Sequence, residues 1–152
     1  ARCGQVASTG RPRYRTGVKS RKPQQVEARA LISHRREGYL IVRPLGEPDA
    51  PWEFPGGTAA ERESPEAALR RCCRAQIGVE LEIVVGQPPF AHETEAGTTL
   101  YRYYVCGVLS GEPRALSCRD TRWVMTPQLR DYVFSAPTQQ VVDWLLEEHS
   151  RR

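Results

Sequence analysis

Residues 52–79 constrain the fold of this chain most, because they join a rigid turn to a well-delimited helix. The segment opens with Trp-Glu-Phe-Pro-Gly-Gly, in which proline and the paired glycines predict a tight loop. Residues 64–66 (Ser-Pro-Glu) predict a helix start. Serine can cap the free N–H groups of the first turn, proline fits the first helical position, and the negative charge of glutamate is stabilised by the positive end of the helix dipole. The helix is predicted to run to Ile77 and to stop at Gly78.

The remainder of the chain predicts strands packed around this helix. Partly alternating apolar residues at 25–33 and 39–43 predict a hairpin with its turn at 35–38. Further elements are predicted as strands at 80–86, 88–93, 98–109 and 121–125, a short helix from about residue 126 and a last helix over 136–149. This order favours an α+β fold in which a mixed β-sheet lies between helices.

The positive charge is concentrated at the start of the chain. The formal net charge is +4, but residues 1–24 contain seven Arg or Lys and no acid, which leaves 15 basic against 18 acidic residues in the remainder. The same segment is rich in small and polar residues, so we expect a basic flexible linker over 1–24 and one folded domain over 25–150. Such a linker either serves solubility or contacts phosphates.

Composition excludes several classes of protein. Hydrophobic residues make up 39% and charged residues 26%, which is typical of a globular chain. No apolar run approaches the roughly 20 residues of a membrane-spanning helix. Five cysteines, among them the adjacent Cys72 and Cys73, match neither a disulfide framework nor a zinc site and predict buried thiols in a reducing, cytoplasmic setting. Because the sequence begins with Ala1, we expect an excised or processed piece.

The spacing within residues 52–79 resembles the box of the Nudix family, G-x5-E-x7-R-E-U-x-E-E-x-G-U, where U is aliphatic. Four positions match it in order: Gly57, Glu63, Arg71 and Gly78. The preceding Phe-Pro-Gly-Gly is also typical of that family. The resemblance extends over about residues 25–149 and implies the Nudix fold, a mixed sheet sandwiched between helices.

Three positions that hold metal-binding glutamates in active Nudix enzymes differ here: Cys72, Ala75 and Gln76. In those enzymes carboxylates at i, i+3 and i+4 share one helix face and bind Mg²⁺, for which thiol and methyl groups are poor substitutes. Glu63 and Glu66 remain candidate ligands, although Glu63 is also placed to brace the loop through Arg71. The resemblance thus implies a domain without confident catalytic residues and without pyrophosphatase activity, for which Mg²⁺ matters only if the chain is a hydrolase.

A Nudix frame with such a box resembles the C-terminal domain of MutY-type adenine DNA glycosylases, as do three short loop phrases: Phe-Ala-His at 90–92, Leu-Ser-Gly-Glu-Pro at 109–113 and Phe-Ser-Ala-Pro at 134–137. That resemblance implies a non-catalytic domain that recognises 8-oxoguanine in DNA for base excision repair. Phe90 and His92 are then predicted to contact the lesion, while Arg11, Arg13 and Arg15 contact phosphates. The implied partners are DNA containing 8-oxoguanine and an upstream glycosylase domain of the same parent chain, which could hold an iron–sulfur cluster.

Two other interpretations remain open. In the first, the chain is a free-standing MutT-like Nudix hydrolase that acts on oxidised or unmodified nucleoside di- or triphosphates. In the second, it is a Nudix-like domain that binds protein partners. Metal-dependent turnover distinguishes the hydrolase from both binding roles, whereas dependence on an upstream helix–hairpin–helix domain is specific to the glycosylase hypothesis.

Overall fold

The computed structural model describes residues 24–152, which form a seven-stranded mixed sheet and three helical segments. The strands are β1 (Gln24–His34), β2 (Gly38–Arg43), β3 (Gly56–Thr58), β4 (Glu80–Gly86), β5 (Phe90–Thr94), β6 (Gly97–Ser110) and β7 (Asp120–Val124). The helices are α1 (Pro65–Ile77), a 3₁₀ helix (Thr126–Asp131) and α2 (Ala136–Ser150). The predicted α+β architecture with a mixed sheet is confirmed.

The sheet is mixed because β1 runs parallel to β6 but antiparallel to β2 and β3. The strands follow the order β4-β6-β1-β2-β7, with β3 beside β1 and β5 beside β6. Where the sequence predicted only a loop around Gly56, three residues form β3 against β1. Glycine disfavours strand formation, so this short strand depends on the neighbouring edge of β1 rather than on its own sequence.

Helix α1 begins and ends as the sequence predicts. The backbone N–H of Ala67 donates to the Ser64 hydroxyl at 3.1 Å. At the other end Gly78 adopts φ 75°, a left-handed conformation that glycine takes without steric cost. The two caps therefore fix where the box helix starts and stops.

The sheet buries a hydrophobic core on each face. Ala28 and Ala30 of β1 point towards α1, where they pack with Leu69 and Ile77. Leu31 points to the opposite face and packs with residues of α2 such as Val142. This alternation follows from the two-residue period of a strand and explains why β1 reads as a mixture of apolar and polar residues.

The described cysteines are free thiols, and Cys73, Cys106 and Cys118 are buried, as predicted. No helix within residues 24–152 is long and apolar enough to cross a bilayer. The predicted linker lies outside the described residues apart from Gln24, which begins β1. The predicted phosphate contacts Arg11, Arg13 and Arg15 lie outside them as well.

Candidate active site

Four adjacent strands place one row of side chains across the α2 face of the sheet. Phe90 of β5 is in register with Tyr101 of β6, and Tyr101 with Glu27 of β1. Glu27 is in turn opposite Thr58 of β3. Because paired residues point to the same face, the row runs Phe90, Tyr101, Glu27, Thr58 from the outer strand to the box loop.

The outer part of this row is an aromatic platform formed by Phe90, Tyr101 and Tyr103. The three rings are nearly parallel, with centroids 5.7 Å apart for Phe90–Tyr101, 5.9 Å for Phe90–Tyr103 and 6.2 Å for Tyr101–Tyr103. His92 meets Tyr101 edge-on at 6.4 Å. Tyr103 is buried, whereas Phe90, His92 and Tyr101 are partly exposed. The structure thus brings the two sequence-predicted contact residues together beside a tyrosine.

A charged pair continues the row towards β3. The Arg29 guanidinium contacts the Glu27 carboxylate at 2.5 Å and donates to the Phe54 carbonyl at 3.0 Å. The Thr58 hydroxyl donates to the second Glu27 oxygen. Burial alone would lower the pKa of Arg29, but the negative charges of Glu53 and Glu27 raise it above its ordinary value. The Arg29 guanidinium is therefore charged, although the side chains of the pair are largely buried.

A buried hydrogen-bond chain supports the platform from below. The Thr138 hydroxyl, in the first turn of α2, donates to Glu53 at 2.6 Å and lies 2.7 Å from the Tyr103 hydroxyl. Burial raises the pKa of Tyr103, so its hydroxyl stays protonated. The chain links the box loop, β6 and α2 and so fixes the position of the Tyr103 ring.

The box loop is held to α1 by Glu63 and Arg71. Arg71 donates to both Glu63 oxygens, at 2.9 and 2.8 Å, and to the Thr58 carbonyl at 3.1 Å. The hydrogen bond from Arg71, together with one from the backbone of Ala60, lowers the pKa of Glu63 to about 2. Glu63 braces the loop through Arg71, as the sequence predicts.

Two of the three box positions that differ from glutamate, Cys72 and Gln76, contribute to packing and loop support. Gln76 accepts a hydrogen bond from the backbone N–H of Gly56 at 3.0 Å. Burial raises the pKa of the Cys72 thiol, whose Sγ lies so close to Gly57 that a Cβ there would approach it to 2.9 Å. Ala75 is exposed and offers no ligand atom.

These residues do not fit a Mg²⁺ site of the kind that the box implies. Within residues 24–152 no group of three or more His, Cys, Asp or Glu is arranged to hold an ion. The Glu63 carboxylate is engaged by Arg71, and Glu66 accepts from the Tyr104 hydroxyl at 3.2 Å. The box helix therefore positions the loop, while the groups open to a ligand lie across the sheet.

The sequence did not point to Glu27, Arg29, Glu53 or Thr58 as site residues. One signal was available, since Glu27 and Arg29 are charged residues two positions apart in an otherwise largely apolar strand and must share a face. What that face meets depends on the parallel pairing of β1 with β6. No local pattern in the sequence reports that pairing.

Solved structures of other proteins share this fold. MutT protein from Methanosarcina mazei Go1 aligns with a TM-score of 0.70 and 14% identity, over 86% of this chain and 98% of that one. MutT NUDIX hydrolase from Burkholderia pseudomallei aligns with a TM-score of 0.67 and 22% identity, over 80% and 98%. At these identities the similarity establishes the fold.

A curated relative shares more of the sequence. It is named "Putative 8-oxo-dGTP diphosphatase 2" from Mycobacterium tuberculosis and is 36% identical over 95 residues, which cover 62% of this chain. The chain spans about 60% of the length of that relative. A diphosphatase, and not a DNA glycosylase, is thus the kind of protein that this sequence matches.

These findings correct the functional interpretation drawn from the sequence. The prediction of a MutY-type lesion-recognition domain is wrong, and so are its predicted partners, DNA containing 8-oxoguanine and an upstream glycosylase domain. The predicted loss of pyrophosphatase activity is overturned by the same relative, and the matches give no support to an iron–sulfur cluster. The interpretation gave too much weight to three helix positions and to a few short loop phrases.

The extent of the family match settles the classification. The family model described as the NUDIX domain matches residues 23–145, which include the box, the platform strands and most of α2. This chain belongs to the Nudix family.

Proposed function

We propose that this chain hydrolyses the diphosphate linkage of a nucleoside di- or triphosphate, with an oxidised nucleotide such as 8-oxo-dGTP as its leading substrate. Support comes from the 36% identical relative whose name states that activity. The structural observation that carries the proposal is the junction between the aromatic platform and the box loop. A nucleotide has an aromatic base and a charged phosphate chain, and the junction offers a surface for each.

Thr58 forms this junction. Its hydroxyl donates to Glu27 on the platform side, and its carbonyl accepts from Arg71 on the box side at 3.1 Å. A base held beside the platform therefore directs its sugar and phosphates towards the loop that Arg71 supports. The Arg71 side chain is half exposed, but its guanidinium is held by Glu63 and by the Thr58 carbonyl, so its part here is to position the loop.

The platform supplies binding energy for the base. Phe90 and Tyr101 are partly exposed aromatic residues, which favours stacking with a purine, and base–aromatic stacking contributes roughly 1–3 kcal/mol per base. His92, edge-on to Tyr101, borders the same surface. Hydrolysis then adds water across a phosphoanhydride bond, so that 8-oxo-dGTP gives 8-oxo-dGMP and pyrophosphate.

The experiment is a hydrolysis assay of the purified chain with 8-oxo-dGTP and dGTP in Mg²⁺ buffer, with products separated by anion exchange. We expect the monophosphate to form well above a blank without protein. Tyr101→Leu should reduce kcat/KM about tenfold, which corresponds to the loss of one stacking contact. Trp144→Leu, which removes an exposed aromatic of α2 outside the platform, is the matched control. If neither 8-oxo-dGTP nor dGTP gives product above the blank, the proposal is refuted.

A further inference from the structure

We infer that Glu27 and Arg29 recognise the hydrogen-bonding edge of a guanine-type base and so determine which purine the platform accepts. The inference rests on the proposed function, because it concerns the same site. It goes further by assigning base specificity to a charged pair on β1 rather than to the box. The pair therefore distinguishes guanine from adenine and does not sense the C8 oxygen.

The sheet register places this pair beside the platform. Glu27 is in register with Tyr101, and Arg29 with Tyr103, along the parallel pairing of β1 with β6. All four side chains lie on one face of the sheet. A purine stacked beside the Tyr101 ring therefore presents its edge to β1, where the carboxylate and the guanidinium lie next to each other.

Both members of the pair keep unused hydrogen-bonding capacity. An ionised carboxylate has about four acceptor positions, and the described contacts of Glu27 are one from Arg29 and one from Thr58. The buried Nε of Arg29 has no hydrogen-bond partner within residues 24–152. A buried donor without a partner is costly, so a ligand acceptor that reached Arg29 would be strongly favoured.

Guanine matches this combination and adenine does not. Guanine presents a carbonyl oxygen, O6, next to two donors, N1–H and the 2-amino group. Arg29 supplies donors for O6, and Glu27 supplies acceptors for the two N–H groups. Adenine presents a donor at N6 and an unprotonated N1, which would face the carboxylate without a proton between them. A site built for the hydrogen bonds of one base rejects the other because its own buried groups are left unpaired.

Oxidation at C8 leaves the hydrogen-bonding edge of guanine unchanged. Guanine and 8-oxoguanine share O6, N1–H and the 2-amino group, so the pair treats them alike. We expect guanine nucleotides to be preferred over adenine nucleotides by about 10- to 100-fold, the effect of one good bidentate base contact. Any preference for the oxidised base must then survive changes to Glu27.

The first test compares four substrates, 8-oxo-dGTP, dGTP, 8-oxo-dATP and dATP, by kcat/KM. Glu27→Gln is nearly isosteric and should lower the guanine-to-adenine ratio at least tenfold while leaving the ratio of 8-oxo-dGTP to dGTP unchanged. Glu112→Gln, the same change at an exposed position in the β6–β7 connection, should alter neither ratio. An unchanged guanine-to-adenine ratio in folded Glu27→Gln would overturn the inference and leave the hydrolase proposal standing.

A second test changes the ligand instead of the protein, so it does not depend on the folding of any variant. Binding of dGMP, dIMP, dAMP and the 2-aminopurine monophosphate to the unaltered chain is measured by calorimetry. Loss of the 2-amino group in dIMP and of O6 in 2-aminopurine should each weaken binding about tenfold. Equal binding of all four monophosphates would overturn the inference. Discrimination among them without turnover of any triphosphate would sustain it and refute the hydrolase proposal.

Discussion

The box loop and the platform lie on the two sides of the same strand, β1, and they use their polar groups differently. In the box, Gln76 accepts from the backbone of Gly56, so its side-chain oxygen serves the fold. On the platform side, Phe90 and Tyr101 are partly exposed, and the buried Nε of Arg29 lacks a hydrogen-bond partner within the described residues. The first region satisfies its own hydrogen bonds, whereas the second leaves capacity for a ligand.

Under the proposed function, the motif that identifies the family is not where the ligand is selected. The box positions a loop and its arginine, whereas the platform and the Glu27–Arg29 pair lie where four strands align their side chains. The two regions meet at Thr58, which contacts both Glu27 and Arg71. Substitutions made in each region test this division between loop support and ligand binding.

The largest effect is expected for Phe54→Ala, because this residue anchors the box loop to the α2-side core. Phe54 is fully buried, stacks on Phe134 at 6.0 Å and meets Tyr103 edge-on at 6.3 Å. Removing a ring of this kind should lower the free energy of unfolding by about 3–5 kcal/mol. Urea denaturation measures the loss, with exposed Val133→Ala as the control. A loss no larger than the control's would show that the loop is held elsewhere.

Gln76→Ala should have the next largest effect. It removes the acceptor for the partly buried Gly56 N–H and should cost about 1–3 kcal/mol, the penalty of an unsatisfied donor. Gln76→Glu keeps an acceptor oxygen at the same position and should retain most of the stability. Equal destabilisation of both variants in thermal and urea unfolding would mean that this hydrogen bond does not support the loop.

Tyr103→Phe should have a smaller effect, confined to the platform side. It removes the hydroxyl that pairs with Thr138 but keeps the ring of the platform, and Thr138 retains its bond to Glu53. We expect a loss of about 1 kcal/mol with nucleotide binding preserved. Tyr39→Phe, at a partly buried tyrosine of β2, is the matched control. Loss of nucleotide binding without loss of stability would assign the Tyr103 hydroxyl to the ligand instead.

The smallest effect concerns acid sensitivity in the box. Since Arg71 lowers the pKa of Glu63 from 4.5 to about 2, their interaction stabilises the fold above pH 4.5 and is lost as the pH falls towards 2. The pair is exposed, so the change in the urea midpoint should be modest. Glu63→Gln should flatten this pH dependence between pH 5 and pH 2, whereas Glu112→Gln should not. Parallel pH profiles for Glu63→Gln and the unaltered chain would contradict the assignment.

Much of the fold could be predicted from local patterns in the sequence. Ser64 and Gly78 delimit α1 because capping depends on residues close in the chain. Long alternating segments predicted β6 and the hairpin for the same reason. Strand β3 was missed because two of its three residues are glycines, and pairing with β1, rather than propensity, makes it a strand. Local signals thus located elements whose causes are local.

The candidate site was predicted only in part. Phe90 and His92 were identified from the loop phrase that carries them, whereas Tyr101 was not predicted as a site residue. Glu27 and Arg29 were missed, since a charged pair in a strand acquires a role only from the strand beside it. The glycosylase function was wrongly inferred because three box positions and a few short loop phrases were given too much weight.

The sequence by itself determined the family, the box helix with its caps and the succession of the strands along the chain apart from β3. These features depend on spacing and local propensity. Tertiary structure alone decided that Phe90, Tyr101, Glu27 and Thr58 form one row. The physical reason is that the parallel pairing of β1 with β6 joins segments far apart in the chain, so the local pattern of either strand does not specify its partner. The register of the folded sheet therefore decides which side chains lie next to one another.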